Sequence, residues 1–412
     1  MRILVLTQYF WPESFRINDV ALGLAERGHE VEVLAGMPNY PSGTFFEGYG
    51  LPGPYVETWR GIRIRRVLLI PRGNSSGIRL ALNYLSHAIS ASFAALFYRR
   101  GSFDAILVYE PSPVTIGIPA RVLRARLGIP VLFWVQDIWP ESLSATGMAK
   151  GRLVLNLVGR IVRWIYRGCD RILVQSRAFT ESVTAQGVPS SGIDYLPNSA
   201  ESFYREREPL ESDPAATELP TGFRVMFAGN IGAAQDFPTI LAAAELLRSE
   251  RQIQWIIIGD GRMKSWVESE ITARDLHATV RLLPSRPAEA MPAYFSHADL
   301  MLATLRREPI FAYTIPSKLQ SYLACGKAVV AALEGEGARV VEEAGCGWTV
   351  PPEDPGALAN AVHAASKLPR AEVEGKGARG AAYFRDNFER GLLLDRLEKI
   401  LASAVSKHGR RA

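Results

Sequence analysis

The sequence has little cysteine and lacks a glycine-rich dinucleotide motif, and each shortage excludes a class of protein. The three cysteines, Cys169, Cys325 and Cys346, are odd in number and lack a CxxC spacing, so neither a disulfide framework nor a zinc site is indicated. The loop after the first strand-like segment reads TQYFWPESFR, without GxGxxG, which disfavours a nicotinamide or flavin enzyme. Met1 and Arg2 lead directly into the strand-like segment ILVL, and no signal-peptide cleavage site follows an apolar region there. We therefore expect a cytoplasmic protein.

Long uninterrupted apolar runs are also scarce. The most apolar stretch, residues 80–98, contains Asn83, His87 and several serines, which favours an amphipathic or core helix over a membrane span. Residues 51–100 hold eight arginines and one acidic residue, and three of the arginines, Arg79, Arg99 and Arg100, flank the apolar stretch. This combination predicts peripheral contact with an anionic membrane surface and no nucleic-acid partner. A helix packed on a sheet is the alternative.

The length and composition are those of a folded, two-domain protein. A chain of 412 residues exceeds the usual size of one hydrophobic core, and 48% hydrophobic with 22% charged residues argue against disorder. The net charge of +5 is uneven, because residues 1–200 hold 21 Lys and Arg against 14 Asp and Glu, whereas the remainder holds 26 against 28. The first half is therefore the basic one.

Short apolar strands alternate with helical segments in both halves, which predicts two doubly wound, Rossmann-like α/β domains facing a central cleft. We expect an N-terminal domain over 1–200 and a polar, acidic linker over 201–221. A second domain is expected over 222–380, followed by a C-terminal helix in 381–412 that packs back on the first domain.

Three strand-to-helix loops of the second half carry residues suited to an anion, because backbone N–H groups and cations can meet a phosphate there. The candidates are Gly229 and Gly232 in the first loop, Gly261, Arg262 and Lys264 in the second, and Ser317 and Lys318 in the third. Ser317 is expected to cap a short helix that ends before Gly326, which places Lys318 in its first turn. A glycine pair is common at such a turn, so the first loop is a weak signal, and ordinary surface charge is the alternative for Arg262 and Lys264.

Several motifs resemble the family 4 glycosyltransferases of the GT-B fold: GNIGAAQDF, GDGRMK and PSKLQSYLACGKAVV in the second half, and QYFWPESFRIND, GMPNYPSG, YEPSPVTIGIPA and FWVQDIWPES in the first. Within that family the chain is similar to the bacterial WbuB-type branch, labelled as fucosamine transferases of surface-polysaccharide synthesis. The resemblance covers nearly the whole chain. It implies sugar transfer from a nucleotide diphosphate donor, with retention of configuration and without a required metal. The donor would lie on the second domain and the acceptor on the first.

The second half departs from the family pattern at its charged positions. Asn230 and Gln235 stand where family members commonly have an arginine and a lysine. Neutralisation of the diphosphate therefore falls to Lys318, with Arg262, Lys264 and Arg16 as further candidates. The two glutamates of the E-x7-E motif align with Tyr313 and Ser321, which leaves the ribose contact open. Glu308 lies five residues before Tyr313 and takes over sugar contact only if the loop is longer or shifted.

In the first half, Gln136 and Asp137 stand where many relatives have His-Asp. Glutamine can hydrogen-bond a donor hydroxyl but cannot carry a proton as a general base. Asp137 is the better candidate for receiving the acceptor proton, and Glu110 and Glu141 also follow strands. The alternative role of Asp137 is to cap the turn that follows it.

Together these features predict a retaining glycosyltransferase that uses a UDP-sugar. The sugar is expected to be N-acetylated or a 6-deoxy amino sugar, and the acceptor a lipid-linked glycan at the inner face of the membrane, in O-antigen or capsule synthesis. Two alternatives stay open. A GT-B epimerase or hydrolase would consume the donor without an acceptor, and a regulatory protein would bind the donor without turning it over.

Overall fold

A computed structural model describes residues 1–73, 77–145 and 151–410. The chain forms two compact units, Met1–Pro197 together with Leu393–Ala412, and Asn198–Leu392. Each unit is an α/β layer structure built on one mainly parallel sheet.

The described residues of the first unit form eight strands and six helices before the C-terminal one. The strands are β1 (Arg2–Leu6), β2 (Glu30–Gly36), β3 (Val56–Trp59), β4 (Ile62–Val67), β5 (Ala105–Glu110), β6 (Val131–Val135), β7 (Arg171–Val174) and β8 (Ile193–Tyr195). The helices are α1 (Arg16–Glu26), α2 (Gly77–Ala95), α3 (Gly117–Leu127), α4 (Glu141–Ala145), α5 (Arg152–Tyr166) and α6 (Phe179–Ala185), with 3-10 turns at Val114–Ile116 and Ser190–Gly192.

These strands pair in the order β3-β4-β2-β1-β5-β6-β7-β8, and among the described strands of this sheet only β3 runs antiparallel to its neighbour. Strands β5 and β6 are buried at every position, as expected for parallel strands covered on both faces. The chain moves outward in opposite directions from β1 and β5, so their carboxyl ends form the switch point where such sheets bind ligands.

The second unit contains six strands and nine helices. The strands are β9 (Phe223–Ala228), β10 (Ile253–Ile258), β11 (Val280–Leu283), β12 (Leu300–Thr304), β13 (Val329–Ala332) and β14 (Gly347–Val350). The helices are α7 (Pro214–Glu218), α8 (Phe237–Leu246), α9 (Lys264–Ala273), α10 (Met291–Ser296), α11 (Pro309–Ala312), α12 (Ser317–Ala324), α13 (Glu336–Ala344), α14 (Pro355–Lys367) and α15 (Arg370–Asn387), with 3-10 turns at Ala233–Gln235 and Ala288–Ala290.

All strand pairs of this second sheet are parallel, in the order β11-β10-β9-β12-β13-β14. This is the 3-2-1-4-5-6 order of a doubly wound sheet, with its switch point between β9 and β12. The prediction of two doubly wound α/β halves is confirmed.

The last helix, α16 (Arg390–Gly409), contributes its apolar face to the core of the first unit. Leu397 and Leu401 are buried there with Ile17 and Leu24 of α1. At the edge of the contact, Glu398 accepts a hydrogen bond from Arg27 at 2.7 Å. Helix α16 thus packs against residues of α1 that lie more than 350 positions earlier in the chain.

Truncating α16 at its buried face tests this packing. Leu401→Ala should lower the free energy of unfolding by about 2–5 kcal/mol, because it removes apolar contacts and leaves a cavity. Urea unfolding of the full chain, followed by circular dichroism, measures the change. The exposed neighbour Lys399→Ala is the matched control and should stay within about 0.5 kcal/mol. An equal effect of the two substitutions would contradict the packing.

The structure differs from the sequence-based expectation in three places. The segment 201–221, whose composition predicts a linker, belongs to the second unit and includes α7, where Ala215 is buried in the core. The arginine-rich segment contains the hairpin of β3 and β4, whose alternation Ile62-Arg63-Ile64-Arg65 buries the isoleucines. The expected cap at Ser317 is wrong, because Pro316 precedes the helix, Ser317 is its first residue, and the N-cap makes no side-chain bond.

Candidate functional site

The loops that follow β9 and β10, at the carboxyl edge of the second sheet, are joined by backbone hydrogen bonds. The Ile231 N–H donates to the Asp260 carbonyl at 2.8 Å, and the Met263 N–H donates to the Ile231 carbonyl at 3.0 Å. A Cβ at Gly259 would lie 1.9 Å from the Gly229 carbonyl oxygen, and one at Gly261 would lie 2.4 Å from the Ile231 oxygen. Only glycine permits this approach, so these glycines set the shape of the loop edge.

Lys318, on the first turn of α12, reaches the same edge. Its Nζ lies 3.8 Å from the centroid of the Phe227 ring and donates a hydrogen bond to Gln235 Oε1. A Cβ at Gly229 would lie 3.9 Å from that Nζ. Gln235 itself is anchored to β12, because Thr304 Oγ1 donates to its carbonyl at 2.6 Å. Lys318 therefore stands at the switch point between β9 and β12.

The electrostatics of Lys318 fit an anion site. Burial of the ammonium lowers the pKa of Lys318 to about 7, because the charged form is poorly solvated there. No carboxylate forms an ion pair with it among the residues that the structure describes. Gln235 is neutral, so it accepts a hydrogen bond from the ammonium and does not repel it. An incoming oxyanion would supply the missing countercharge.

The other residues predicted to bind the donor lie in the same loops and in α12, and they differ in exposure and in hydrogen-bond partners. Asn230 and Arg262 are exposed, and Lys264 begins α9 with its Nζ 3.9 Å from the Asp260 carboxylate. Gly232 immediately precedes the 3-10 turn that carries Gln235. Ser321 is buried, and its hydroxyl donates to the Ser317 carbonyl at 3.3 Å.

Glu308 is exposed at the start of α11 and lines a separate cavity of about 110 Å³ with Arg307 and Glu334. No described contact joins Glu308 to Lys318. The structure therefore groups Gly229, Gln235 and Lys318, and it leaves Glu308 outside that group.

A pocket of about 300 Å³ opens at the carboxyl ends of β1, β5 and β6 in the first unit, and we call it the first-unit pocket. Its lining comprises Tyr9, Phe15, Tyr40, Arg72, Leu80, Tyr84, Pro111, Ser112, Asp137, Trp139, Ser142 and Leu143. Five of these side chains are aromatic, and Asp137 is the one carboxylate of the described lining. A concave apolar site with a few polar groups at a switch point is typical of ligand binding.

Three aromatic rings of this pocket contact one another. Tyr9 and Phe15 stack with centroids 4.9 Å apart, and Tyr40 is tilted against them at 5.8 and 5.3 Å. The Arg72 guanidinium lies 5.0 Å from the centroid of the Tyr40 ring. Aromatic faces with a guanidinium beside them suit a ligand that has both apolar C–H faces and polar groups.

Asp137 lies in this pocket two residues after β6. It accepts a hydrogen bond from Ser142 Oγ, and burial raises the pKa of its carboxyl above the usual range. Glu110, the last residue of β5, is fully buried. Burial first, and then the charge of Asp137, raise the pKa of Glu110 well above the usual range. Asp137 lines the pocket and Glu110 does not, so Asp137 is the carboxylate of the two that a ligand can reach.

The other predicted residues of the first unit, the catalytic candidate Gln136 and the acceptor-side candidates Arg16, Glu110 and Glu141, are not in the described lining of the pocket. Arg16 begins α1 and interacts electrostatically with the buried Tyr109. Gln136 donates its backbone N–H to the Glu110 carbonyl at 3.0 Å, and Glu141 begins α4. Sequence reasoning missed Tyr9, Tyr40, Arg72 and Tyr84. The dense aromatics of QYFW and NYP were the available signal for the first two.

Comparisons with known proteins agree with the geometry. Residues 14–199 match the family model described as Glycosyl transferase 4-like domain, and residues 222–367 match the one described as Glycosyl transferases group 1. The chain is 28% identical over 386 residues, 90% of its length and 93% of the relative's, to WcaI of Escherichia coli (strain K12), described as a colanic acid biosynthesis glycosyl transferase.

Solved structures share the fold at low identity. HepE from Anabaena, in complex with UDP and glucose, superposes with a TM-score of 0.71 at 17% identity over 98% of this chain and 100% of that one. Sucrose-phosphate synthase from Thermosynechococcus elongatus superposes with a TM-score of 0.74 at 16% identity over 99% and 100%. These likenesses establish the GT-B fold.

Proposed function

We propose that this chain, a GT-B glycosyltransferase with a glycosyl transferase 4-like domain followed by a group 1 domain, transfers a sugar from a UDP-sugar to a lipid-linked glycan. The single observation that carries the proposal is the ammonium of Lys318 at the switch point of the second sheet, for which the described residues supply no carboxylate partner. UDP as the nucleotide is supported by HepE, which was solved in complex with UDP and glucose.

The donor step follows from the charge on the leaving group. As the glycosidic bond breaks, the departing UDP gains negative charge, and a fixed cation in a water-poor site stabilises that charge. Lys318 supplies this cation, and the exposed backbone at Gly229 and Asn230 lies beside it. We propose that transfer retains the anomeric configuration and needs no metal, which rests on the family resemblance.

The acceptor step is assigned to the first-unit pocket. Its aromatic rings offer faces for a sugar, and Asp137 offers a carboxylate for the proton of the attacking hydroxyl. The assignment to polysaccharide synthesis is supported by the similarity to WcaI. Its narrowing to O-antigen or capsule rests on the sequence motifs. The sugar, N-acetylated or 6-deoxy amino, and the WbuB-type branch rest on the sequence motifs.

Donor affinity should fall as the pH rises through about 7. The free protein then loses the proton of Lys318, so each further pH unit weakens binding by up to about tenfold until the bound-state pKa is reached. The unliganded fold shows the opposite sign: it gains stability from about pH 7 toward the unfolded value of 10.5, since the unfolded state binds more protons. Calorimetric titration with a UDP-sugar measures the affinity, since its diphosphate does not titrate in that range.

Lys318→Arg is the control for this pH dependence, because guanidinium stays charged throughout. Its affinity should be flat across the same range. Lys367→Met removes an exposed lysine from the same unit and should leave the slope in place. Equal slopes in the wild type and Lys318→Arg would contradict the assignment.

A membrane-facing surface is proposed on α2. No helix in the described ranges is both long and apolar enough to cross a bilayer. Helix α2 packs one face on the first unit, while its other face and the turn that follows expose an apolar stripe at helical spacing. The stripe consists of Ile78, Leu82, Leu85, Ile89, Phe93, Leu96 and Phe97, which are 44% to 79% exposed.

Some arginines of residues 51–100 are buried or paired within the first unit, whereas others lie exposed at the ends of α2. Arg66 is buried and paired with Glu57, and Arg65 is paired with Glu32 at 2.7 Å. Arg79 at the start of α2 and Arg99 and Arg100 beyond its end are exposed. These three flank the apolar stripe, and each would add about 1 kcal/mol of attraction to anionic lipid near the surface.

The double variant Ile89→Asp with Phe93→Asp should reduce binding to phosphatidylglycerol-containing vesicles by at least about tenfold, because two apolar side chains would no longer insert. Vesicle flotation measures the loss. Leu246→Asp changes an equally exposed leucine on α8 of the second unit and serves as the control. If the wild type does not float, or the double variant floats as well, the surface assignment is wrong.

A thermal-stability screen with nucleotide sugars tests the donor assignment. A ligand that binds only the folded protein raises its unfolding temperature, and we expect UDP-sugars to do so. Stabilisation should be lost in Lys318→Met. Stabilisation by GDP-sugars alone would contradict the UDP proposal.

A further inference from the structure

We propose that the first-unit pocket recognises an oxyanion on the acceptor through the guanidinium of Arg72. This inference rests on the proposed function and deepens it, because it names the chemical group that positions the acceptor. It is carried by the geometry of Arg72, by a buried polar network that holds it, and by the separation of its charge from Asp137.

Arg72 presents a positive charge in the pocket without a carboxylate partner. Its guanidinium lies over the Tyr40 ring at 5.0 Å and beside the Tyr9 ring at 5.8 Å, and its Nη1 donates to the Tyr9 hydroxyl at 3.1 Å. No ion pair with Arg72 occurs within residues 1–73, 77–145 and 151–410. A guanidinium has five N–H donors, and the described side-chain contact uses one. The planar group is suited to bidentate contact with phosphate or carboxylate oxygens.

A buried amide network fixes the backbone around Arg72. The Arg72 N–H donates to Asn39 Oδ1 at 3.2 Å, and Asn83 Nδ2 donates to the Ile70 carbonyl at 2.6 Å. Gln8 Nε2 links the two parts, since it donates to Asn83 Oδ1 at 2.7 Å and to the Tyr9 hydroxyl at 3.2 Å. The side chains of Gln8, Asn39 and Asn83 are at most 1% exposed.

Glu13 extends the network to the third ring. Its Oε1 accepts the N–H groups of Asn39 and Tyr40, both at 2.8 Å. Burying polar side chains is unfavourable unless their hydrogen bonds are made, so such a network is retained where position matters. Here it holds Tyr9, Tyr40 and Arg72, which come from three separate loops, against one another.

The two charges of the pocket serve different atoms of one ligand. Arg72 and Asp137 both line the cavity but form no ion pair, and Asp137 is engaged by Ser142 instead. The Tyr84 hydroxyl interacts electrostatically with both. An acceptor that places an oxyanion at Arg72 can therefore place a hydroxyl at Asp137, with its sugar against the aromatic rings.

Two sources can supply this oxyanion: the diphosphate of a lipid-linked glycan, or the carboxylate of an acidic sugar. Leu80 and Tyr84 of α2 line the pocket, and the exposed apolar stripe of the same helix includes the neighbouring Ile78 and Leu82. A lipid attached to a diphosphate at Arg72 would thus start beside an apolar surface. The experiment separates the two sources.

Binding of three probes to the full-length protein tests the inference: farnesyl diphosphate, farnesol and glucuronic acid. Farnesyl diphosphate should bind more tightly than farnesol, and Arg72→Gln should weaken it at least about tenfold with little effect on farnesol. Arg72→Lys should recover part of the affinity. Raising the salt concentration should weaken farnesyl diphosphate binding in the wild type and much less in Arg72→Gln. If glucuronic acid alone shows this dependence on Arg72, the oxyanion is a sugar carboxylate.

Arg60→Gln, an exposed arginine of the same unit, is the matched control and should bind like the wild type. Circular dichroism and an unchanged UDP-sugar affinity show that Arg72→Gln is folded. In turnover, its KM for the acceptor should rise while the KM for the donor stays constant. If no probe depends on Arg72 while UDP-sugar still binds, this inference fails and the transferase function stands. If no UDP-sugar binds at all, the proposed function fails instead.

Discussion

Lys318→Met should lower kcat/KM by at least about a hundredfold while the protein folds as before. The substitution keeps the length and apolar contacts of the side chain and removes only the ammonium. Loss of one preorganised group that stabilises developing charge typically costs 10²- to 10³-fold in rate. Removal of an ammonium whose burial lowers its pKa to about 7 should not destabilise the free protein. Steady-state kinetics with the UDP-sugar and acceptor measure the loss.

The control for this experiment is Lys367→Met, which removes an exposed lysine that pairs with Glu250 at 3.3 Å. Its kcat/KM should be that of the wild type. Turnover by Lys318→Met at the wild-type rate would show that Lys318 is not part of the donor site. The diphosphate would then have to be held by Arg262 or Lys264, the other cations near these loops.

The second large effect is expected at Asp137. Asp137→Asn should reduce kcat by about 10²- to 10⁴-fold, the usual contribution of a general base, because an amide cannot take up the acceptor proton. The affinity for the UDP-sugar should be unchanged, since Asp137 lies in the other unit. Single-turnover kinetics with saturating donor and acceptor isolate the transfer step.

Glu47→Gln makes the same kind of change at an exposed carboxylate of the first unit and should leave the transfer step intact. A rate for Asp137→Asn within about twofold of the wild type would mean that Asp137 only caps its turn through Ser142, the alternative that the sequence leaves open. The proton would then leave by another route, such as the departing diphosphate.

Much of the fold was predictable because many of its strands are short runs of mostly apolar residues. The apolar run at 131–135 and the helical period at 152–166 coincide with β6 and α5. The hairpin of β3 and β4 was missed, because arginines occupy alternate positions of β4 and break the apolar run. A strand with charged side chains on one face lacks a continuous apolar run, so a search for such runs does not identify it.

The two candidate sites differ in how far the sequence reveals them. Lys318 was predictable because its motif is local: a proline, a short helix and a glycine in the left-handed region at Gly326 with a φ of 65°. The first-unit pocket brings together residues from loops that lie far apart along the chain, such as Tyr9, Arg72 and Asp137. Only the folded sheet shows that these loops meet, so the pocket could not be assembled from spacing.

The apolar stretch at 80–98 also shows why neither of two sequence interpretations sufficed. The small residues Ala88, Ala91 and Ala95 pack on the first unit, as a core helix would. Ile89 and Phe93 on the other face are exposed, as a membrane-facing helix would leave them. Composition gives the apolar content of a helix but not how its two faces are covered.

The most direct test of the proposed function is the release of UDP from a UDP-sugar, measured with and without a lipid-linked glycan in the same preparation. A transferase releases UDP only when the acceptor is present, and the released amount equals the sugar found on the lipid by mass spectrometry. We predict this acceptor-dependent, one-to-one release. Consumption of the donor at the same rate without acceptor would identify an epimerase or hydrolase, and binding without any release would identify a regulatory binder; either result would contradict glycosyl transfer.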